Sequence, residues 1–125
     1  MIFLRKQEVL AIHQRSLHEF GGSSGIRDEG AFESALVAVE NRVAYEQADV
    51  FACAATYAYH LTMARAFVDG NKRVAAGTMR VFLLLNEVEI DATEDDLYGL
   101  FMTIAAGEMK RDAIEAWLRG RHRDR

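Results

Sequence analysis

Apolar residues recur at helical spacing along most of the chain, and short polar or glycine-rich stretches separate the apolar runs. Leu10, Leu17 and Phe20 indicate a first helix, which the glycine-rich stretch 21–25 ends. Asp28 follows as the expected N-cap of a second helix. The apolar stripe of that second helix comprises Phe32, Leu36, Val39 and Val43.

Two further segments are apolar nearly all round. One extends from about Val50 to Arg65 and is rich in alanine, and the other extends from Asn71 to Asn86. Because a helix without a polar face must be covered by its neighbours, we expect both segments to lie in the middle of a bundle.

The last third of the chain predicts two amphipathic helices. Thr93 and Asp96 have the spacing of a capping box at the start of a fifth helix, and Gly107 is expected to end that helix. A sixth helix carries the apolar residues Ile114, Trp117 and Leu118. The chain has no proline, which leaves it free to be almost entirely helical. The sequence therefore predicts an all-α fold, a compact six-helix bundle with two buried central helices, formed as a single domain over residues 1–125.

Composition excludes several classes of protein. The 125 residues have a formal net charge of −4, which argues against a general nucleic-acid-binding surface. A single cysteine excludes a disulfide framework and a four-thiolate metal site within the chain. No apolar stretch is long enough to span a membrane, and the N-terminus lacks the apolar core of a signal peptide. We expect a cytoplasmic protein with no membrane partner and no direct nucleic-acid binding.

Polar chemistry is concentrated in residues 65–73, which lie between the two central helices and read Arg-Ala-Phe-Val-Asp-Gly-Asn-Lys-Arg. Lys72 and Arg73 would occupy the first turn of a helix, where the helix dipole disfavours cations. A bound phosphate group would remove this conflict, because the free N–H groups after Gly70 and the two cations can hold its oxygens. Asp69 could then hold a Mg²⁺ ion that bridges the phosphates.

An ordinary turn explains the same residues. In that interpretation Asp69 caps the following helix, Gly70 relaxes the turn, and Lys72 and Arg73 pair with carboxylates. Spacing alone leaves both interpretations open.

Residues 67–73 resemble the signature of the Fic/Doc superfamily, usually written H-x-F-x-[D/E/N]-[A/G]-N-[K/G]-R. The resemblance continues upstream through three segments, 21–28, 33–36 and 42–46. Lys72 favours the death-on-curing (Doc) branch, since adenylyltransferases of the Fic type have glycine at that position.

This resemblance implies a toxin that halts translation. It implies a protein kinase that uses ATP and Mg²⁺ to transfer the γ-phosphoryl group to a threonine of elongation factor Tu. It also implies a Phd-type antitoxin as partner, with a C-terminal helix that binds in a groove of the toxin. The alternatives are a Fic-type protein adenylyltransferase and a non-catalytic antitoxin-binding module.

By the same resemblance, Asp69 would coordinate Mg²⁺ or orient the phosphate, and Phe67 would be a buried anchor of the loop. Phosphate oxygens would be held by the backbone at Gly70 and by Asn71, Lys72 and Arg73. A flap that docks the protein substrate would include Glu46, Gln47 and Asp49. An ordinary linker is the alternative for that region.

The chain departs from the signature at Arg65, where the family has a histidine that serves as general base. Arginine stays protonated and cannot serve as that base, and loss of a positioned base costs about 10²–10⁴ in rate. We therefore expect the chain to bind nucleotide and antitoxin but to transfer phosphate poorly, with Arg65 as a third cation at the phosphate site. Arg65 is either native or a change that disabled an active toxin, and we favour the second explanation. Gly77 is a second departure, because Doc has a polar residue there.

The remaining candidates have structural interpretations. We expect His13 to be partly buried and hydrogen-bonded, His60 to pack inside the bundle, and Cys53 to be a small core residue. His18 and His122 are expected on the surface. The basic residues 119–125 are expected to fray.

Overall fold

The computed structural model describes residues 1–123, which contain six α-helices, and the predicted all-α fold is confirmed. The helices are α1 (Lys6–Phe20), α2 (Glu29–Glu46), α3 (Val50–Ala64), α4 (Asn71–Leu85), α5 (Glu94–Ala105) and α6 (Arg111–Gly120). Within residues 1–123 no helix is long and apolar enough to cross a membrane.

The predicted helix starts are formed by the expected caps. The carboxylate of Asp28 accepts a hydrogen bond from the backbone N–H of Ala31, at 3.0 Å, and begins α2. Thr93 and Asp96 form the predicted capping box at the start of α5, with both hydrogen bonds 3.0 Å long. Each bond satisfies an N–H group that has no partner inside its helix.

α3 lies at the centre and packs against α2, α4, α5 and α6, while α1 packs against α4. Residues 52–58 of α3 are all buried, as the alanine-rich sequence predicts. Cys53 is fully buried, and burial raises the pKa of its thiol to about 11. α4 buries one face against α3 but leaves Arg80 and Leu84 exposed on the other. Both helices were predicted to be buried on all sides, and this is confirmed for α3 but is wrong for α4.

The N-terminal residues form an extended strap that is held by two side chains from the bundle. The amide of Asn86 exchanges two hydrogen bonds with the backbone of Ile2, at 2.7 and 2.8 Å. The hydroxyl of Tyr57 accepts from the N–H of Leu4 and donates to its carbonyl oxygen. Leu4 is buried beneath these contacts. The strap is thus fixed to the bundle, with Leu4 in the core.

The basic C-terminal tail pairs with the connection before α5. Ion pairs join Arg121 to Asp96 and Arg123 to Asp91, and a short antiparallel bridge forms between Ile90 and His122. The expectation that the tail frays is therefore wrong for residues 119–123, because the acidic connection supplies partners from elsewhere in the chain. Residues 124 and 125 lie outside the described part.

Candidate functional site

Residues 65–73 form the connection between α3 and α4, and Phe67 anchors this loop in the core. Phe67 is 1% exposed. Its ring packs edge-on against Phe32, with centroids 5.1 Å apart, and stacks on the imidazole of His13 at 4.0 Å. The predicted buried anchor is confirmed.

Asn71 closes the loop onto itself. Its side-chain oxygen accepts from the N–H of Phe67, and its amide nitrogen donates to the carbonyl oxygen of Phe67, both at 3.0 Å. These two bonds give partners to the backbone N–H and carbonyl groups of Phe67, whose side chain is buried. The structure therefore shows Asn71 as the clamp of the loop, a contact that its predicted role at the phosphate oxygens did not include.

The segment 22–28 lies along the loop and is the neighbour that sequence reasoning missed. Ile26 and Phe67 form an antiparallel bridge. The N–H groups of Arg27 and Asp28 donate to the carbonyl oxygen of Ala66 at 2.7 and 3.0 Å. The sequence did carry a signal, since the glycine-rich stretch also matches the family. A glycine-rich stretch by itself predicts only the end of a helix.

The Asp69 carboxylate is fixed by two backbone donors, one from segment 22–28 and one from the loop itself. One oxygen accepts from the N–H of Gly70 at 2.9 Å, and the other accepts from the N–H of Ser23 at 3.3 Å. Gly22 makes this approach possible, because a Cβ atom there would lie 2.8 Å from Oδ2 of Asp69, and because Gly22 has φ +116°. Asp69 is nevertheless exposed, with oxygen lone pairs facing solvent.

α4 begins at the end of the loop without a side-chain cap. Gly70 is the N-cap residue, with φ 78°, and the first backbone bond of the helix runs from the N–H of Val74 to the carbonyl oxygen of Gly70. The N–H groups of residues 71–73 therefore have no partner inside the helix and point out of its N-terminal end. Lys72 and Arg73 are exposed, and within residues 1–123 neither forms an ion pair. The guanidinium of Arg73 lies over the ring of Phe20, 4.8 Å from its centroid.

This geometry separates the two interpretations of the loop. Gly70 does relax the turn, with φ 78°, as the ordinary-turn interpretation requires. Asp69 does not cap α4 in the usual way, because its carboxylate accepts from the N–H groups of Gly70 and Ser23 and not from the first turn of the helix. Lys72 and Arg73 find no carboxylate among the described residues. The result is a helix N-terminus with free donors and two cations, which favours an anion.

Comparison with known proteins identifies the family of the chain. A family model described as Fic/DOC family matches residues 3–83. The protein named "Protein kinase doc" of Escherichia phage P1 is 33% identical over 121 residues, which cover 95% of this chain and 94% of the phage protein. The chain belongs to the Fic/DOC family.

Arg65 stands where the Fic/DOC signature has histidine, and it is the C-cap of α3. Its backbone is left-handed, with φ 48°. Its guanidinium donates to the carbonyl oxygen of Ala105 at the end of α5, at 3.4 Å, and its own carbonyl oxygen accepts from the side chain of Arg27 at 2.6 Å. The side chain therefore contacts the end of α5, and a position beside Lys72 and Arg73 as a third cation stays a prediction.

Gly77, the second departure from the Fic/DOC pattern, has a packing explanation. A Cβ atom at this position would lie 2.8 Å from Cγ2 of Ile12. The absence of a side chain lets α1 approach α4 closely, just beyond the loop.

The predicted flap residues lie far from the loop. Asp49 caps the start of α3 and pairs with Arg119 at 2.8 Å, and Glu46 pairs with the buried Arg42. Gln47 is the left-handed C-cap of α2. α3 has 15 residues and so separates this segment from the loop by about 22 Å. The structure does not bring Glu46, Gln47 or Asp49 to the Fic/DOC loop, and the side chains of Glu46 and Asp49 make structural contacts instead.

The histidines divide as expected, with one addition. Burial, together with the nearby charges of Arg111 and Arg42, lowers the pKa of His60, whose Nε2 atom has no partner among the described residues. His60 packs in the bundle and takes no part in the loop. His13 is buried and does contact the loop, because its Nε2 atom lies 2.8 Å from the carbonyl oxygen of Asp69.

Proposed function

We propose that this Fic/DOC-family chain is a Doc-type protein phosphotransferase, which binds Mg²⁺–ATP at the start of α4 and acts on a protein hydroxyl group. The observation that carries the proposal is the uncapped N-terminus of α4 beside two exposed cations that make no ion pair in residues 1–123. The name of the phage P1 relative supports kinase chemistry. The lysine at position 72, where Fic-type adenylyltransferases have glycine, supports transfer of a phosphoryl group over transfer of a nucleotide.

The residues present fit the phosphates and the metal. The free N–H groups of the first turn, with Lys72 and Arg73, supply donors for the oxygens of a triphosphate. Mg²⁺ at nucleotide sites takes one or two carboxylates besides phosphate oxygens and waters, and Asp69 supplies one exposed carboxylate. When bound, Mg²⁺ neutralises charge on the phosphates. Lys72 and Arg73 stabilise the charge that develops on the transferred group, and Asn71 keeps the loop closed.

Transfer by this chain is impaired because Arg65 replaces the family's histidine. A guanidinium stays protonated and cannot accept the proton of the attacking hydroxyl. The chain therefore binds Mg²⁺–ATP and transfers the γ-phosphoryl group slowly. Arg65 also favours the second candidate, a non-catalytic module that binds an antitoxin.

The protein substrate is a threonine of elongation factor Tu, as the resemblance to Doc implies, and its phosphorylation would halt translation. The substrate would approach beside residues 22–25, since these are exposed and lie next to the loop.

The partner is a Phd-type antitoxin, and a groove beside the N-terminal strap suits its C-terminal helix. The groove has a volume of about 370 Å³ and lies between the strap and α2. Phe3 and Val37 line it and are 37% and 46% exposed. An amphipathic helix would cover these apolar side chains.

Calorimetric titration with Mg²⁺–ATP tests the nucleotide site. The chain should bind, and Lys72→Ala and Arg73→Ala should each weaken binding about tenfold or more, because each removes a charge-assisted hydrogen bond. Arg80→Ala is the matched control, since Arg80 is exposed on α4 about 10 Å beyond Arg73. An affinity that is equal in all four proteins would contradict the proposed site.

Titration with the C-terminal peptide of a Phd-type antitoxin tests the groove. Val37→Glu should abolish binding because it places a charge on the apolar wall. Tyr45→Glu is the control, since Tyr45 lies on the same helix, is 84% exposed and does not line the groove. Equal binding by both variants would exclude this groove.

A further inference from the structure

His13 of α1 contacts the loop at Phe67 and Asp69 and lies beside Gly70. Its Nε2 atom lies 2.8 Å from the carbonyl oxygen of Asp69. Its ring stacks on Phe67, with centroids 4.0 Å apart and planes inclined by 28°. Gly70 lies beside the same ring, since a Cβ atom added at Gly70 would be 3.5 Å from Nε2 of His13. His13 is 4% exposed, so these contacts are made inside the protein.

The hydrogen bond shows which nitrogen of the imidazole carries a proton. A carbonyl oxygen can only accept, so Nε2 of His13 must carry a proton and donate it. The tautomer is thereby assigned from the partner of Nε2.

This bond also sets the direction of a neighbouring N–H group. The carbonyl group of Asp69 and the N–H of Gly70 belong to one planar peptide unit, so fixing the first orients the second. That N–H in turn donates to the Asp69 carboxylate. The next residues open α4, where the free N–H groups lie. His13 therefore holds both the Asp69 carboxylate and the start of α4 through one peptide unit.

We propose that His13 is a positioning residue of the phosphate site, which fixes the Asp69–Gly70 peptide so that the carboxylate and the N-terminus of α4 face the same triphosphate. The inference rests on the proposed function, since it assigns His13 to the same Mg²⁺–ATP site. His13 itself does not touch the nucleotide and takes no proton in the transfer.

Two substitutions separate the hydrogen bond from the packing. His13→Phe keeps an aromatic ring against Phe67 but removes the donor. His13→Gln keeps an N–H donor at similar reach but removes the ring. His18→Phe is the control, because His18 is an exposed histidine of the same helix.

Mg²⁺–ATP affinity and stability to urea should follow opposite orders in the two variants. His13→Phe should lower the affinity about tenfold, the effect of one hydrogen bond, while His13→Gln should stay within about threefold of the unsubstituted chain. The glutamine variant should be the less stable of the two, because it loses the stacked ring. If His13 had only a packing role, the variant with the lower stability would also have the lower affinity for Mg²⁺–ATP.

Amide hydrogen exchange without nucleotide provides the second readout. His13→Phe should speed exchange at Val68 and Gly70, while His13→Gln and His18→Phe should not. Unchanged exchange and unchanged affinity in His13→Phe would overturn the inference alone. Failure of the unsubstituted chain to bind Mg²⁺–ATP would overturn the phosphate site, and the role of His13 with it.

Discussion

The guanidinium of Arg65 donates a hydrogen bond to the carbonyl oxygen of Ala105, 3.4 Å away, and so joins the C-terminal ends of α3 and α5. The donor comes from the position at which the Fic/DOC signature has its histidine. The position that holds the general base in the family signature thus makes a contact between two helix ends, where a cation is favoured by the helix dipole.

Arg65→His should restore transfer. The imidazole can accept the hydroxyl proton, so labelling of elongation factor Tu from γ-labelled ATP should rise by about 10²–10⁴. Arg65→Gln is the control, because it removes the guanidinium without adding a base. If the histidine variant labels no better than the glutamine variant, the chain is a non-catalytic module. Label transferred from the α position instead would indicate an adenylyltransferase.

Asn71→Ala should destabilise the fold by about 1–3 kcal/mol, because it leaves the N–H and carbonyl oxygen of Phe67 without partners. Urea unfolding measures the change. Asn41→Ala, at an exposed position of α2, should be neutral or slightly stabilising. Equal stability of the two variants would show that the clamp does not hold the loop.

Gly77→Ala and Gly99→Ala should have opposite effects, although both glycines lie inside helices. The new methyl at position 77 would lie 2.8 Å from Cγ2 of Ile12, and such overpacking costs about 1–3 kcal/mol, more than the helix propensity gained. At position 99 a methyl meets nothing within 4 Å, so this variant should gain about 0.5–1 kcal/mol. Thermal unfolding distinguishes them, and stabilisation by Gly77→Ala would disprove close contact between α1 and α4.

Tyr57 should make stability depend on alkaline pH. Burial raises the pKa of its phenol from 10.0 to about 12, so the folded state holds this proton more tightly than the unfolded state. The resulting stabilisation is complete below pH 10 and is lost as the pH rises towards 12, by about 1 kcal/mol at pH 11.

Comparison of the unsubstituted chain with Tyr57→Phe isolates this contribution to the free energy of unfolding. The variant should lose less stability between pH 9 and pH 11. Tyr45→Phe alters an exposed phenol and should behave as the unsubstituted chain does. Parallel pH profiles for the unsubstituted chain and Tyr57→Phe would contradict the assignment.

Much of the fold could be read from local sequence signals. Asp28 and the pair Thr93 and Asp96 begin their helices where expected, since a cap acts within about one helical turn of its own position. The limits of α3 and α4 were predicted to within one residue, because apolar runs and a glycine mark them.

Contacts between distant segments could not be read in this way. The tail is expected to fray because it is a basic terminus, whereas the carboxylates that pair with Arg121 and Arg123 are 25 and 32 residues away. The flap was predicted at residues 46–49 from the family resemblance, whereas the segment beside the loop is 22–28. Residues 46–49 and the loop flank α3 and so lie at its opposite ends. That segment 22–28 lies beside the loop depends on how α1 and α2 pack against α3 and α4, and apolar spacing does not encode that.

The sequence by itself determined six helices, the polar loop between the third and fourth, and the mismatch of Arg65 with the family signature. These properties depend on residue identity and on neighbours within a few positions. Only the tertiary structure decided that Gly22 lets Ser23 reach Asp69, that Asn71 clamps Phe67, and that His13 holds the same loop from α1. Such contacts need backbones to approach within hydrogen-bonding distance, and helix packing alone sets that approach.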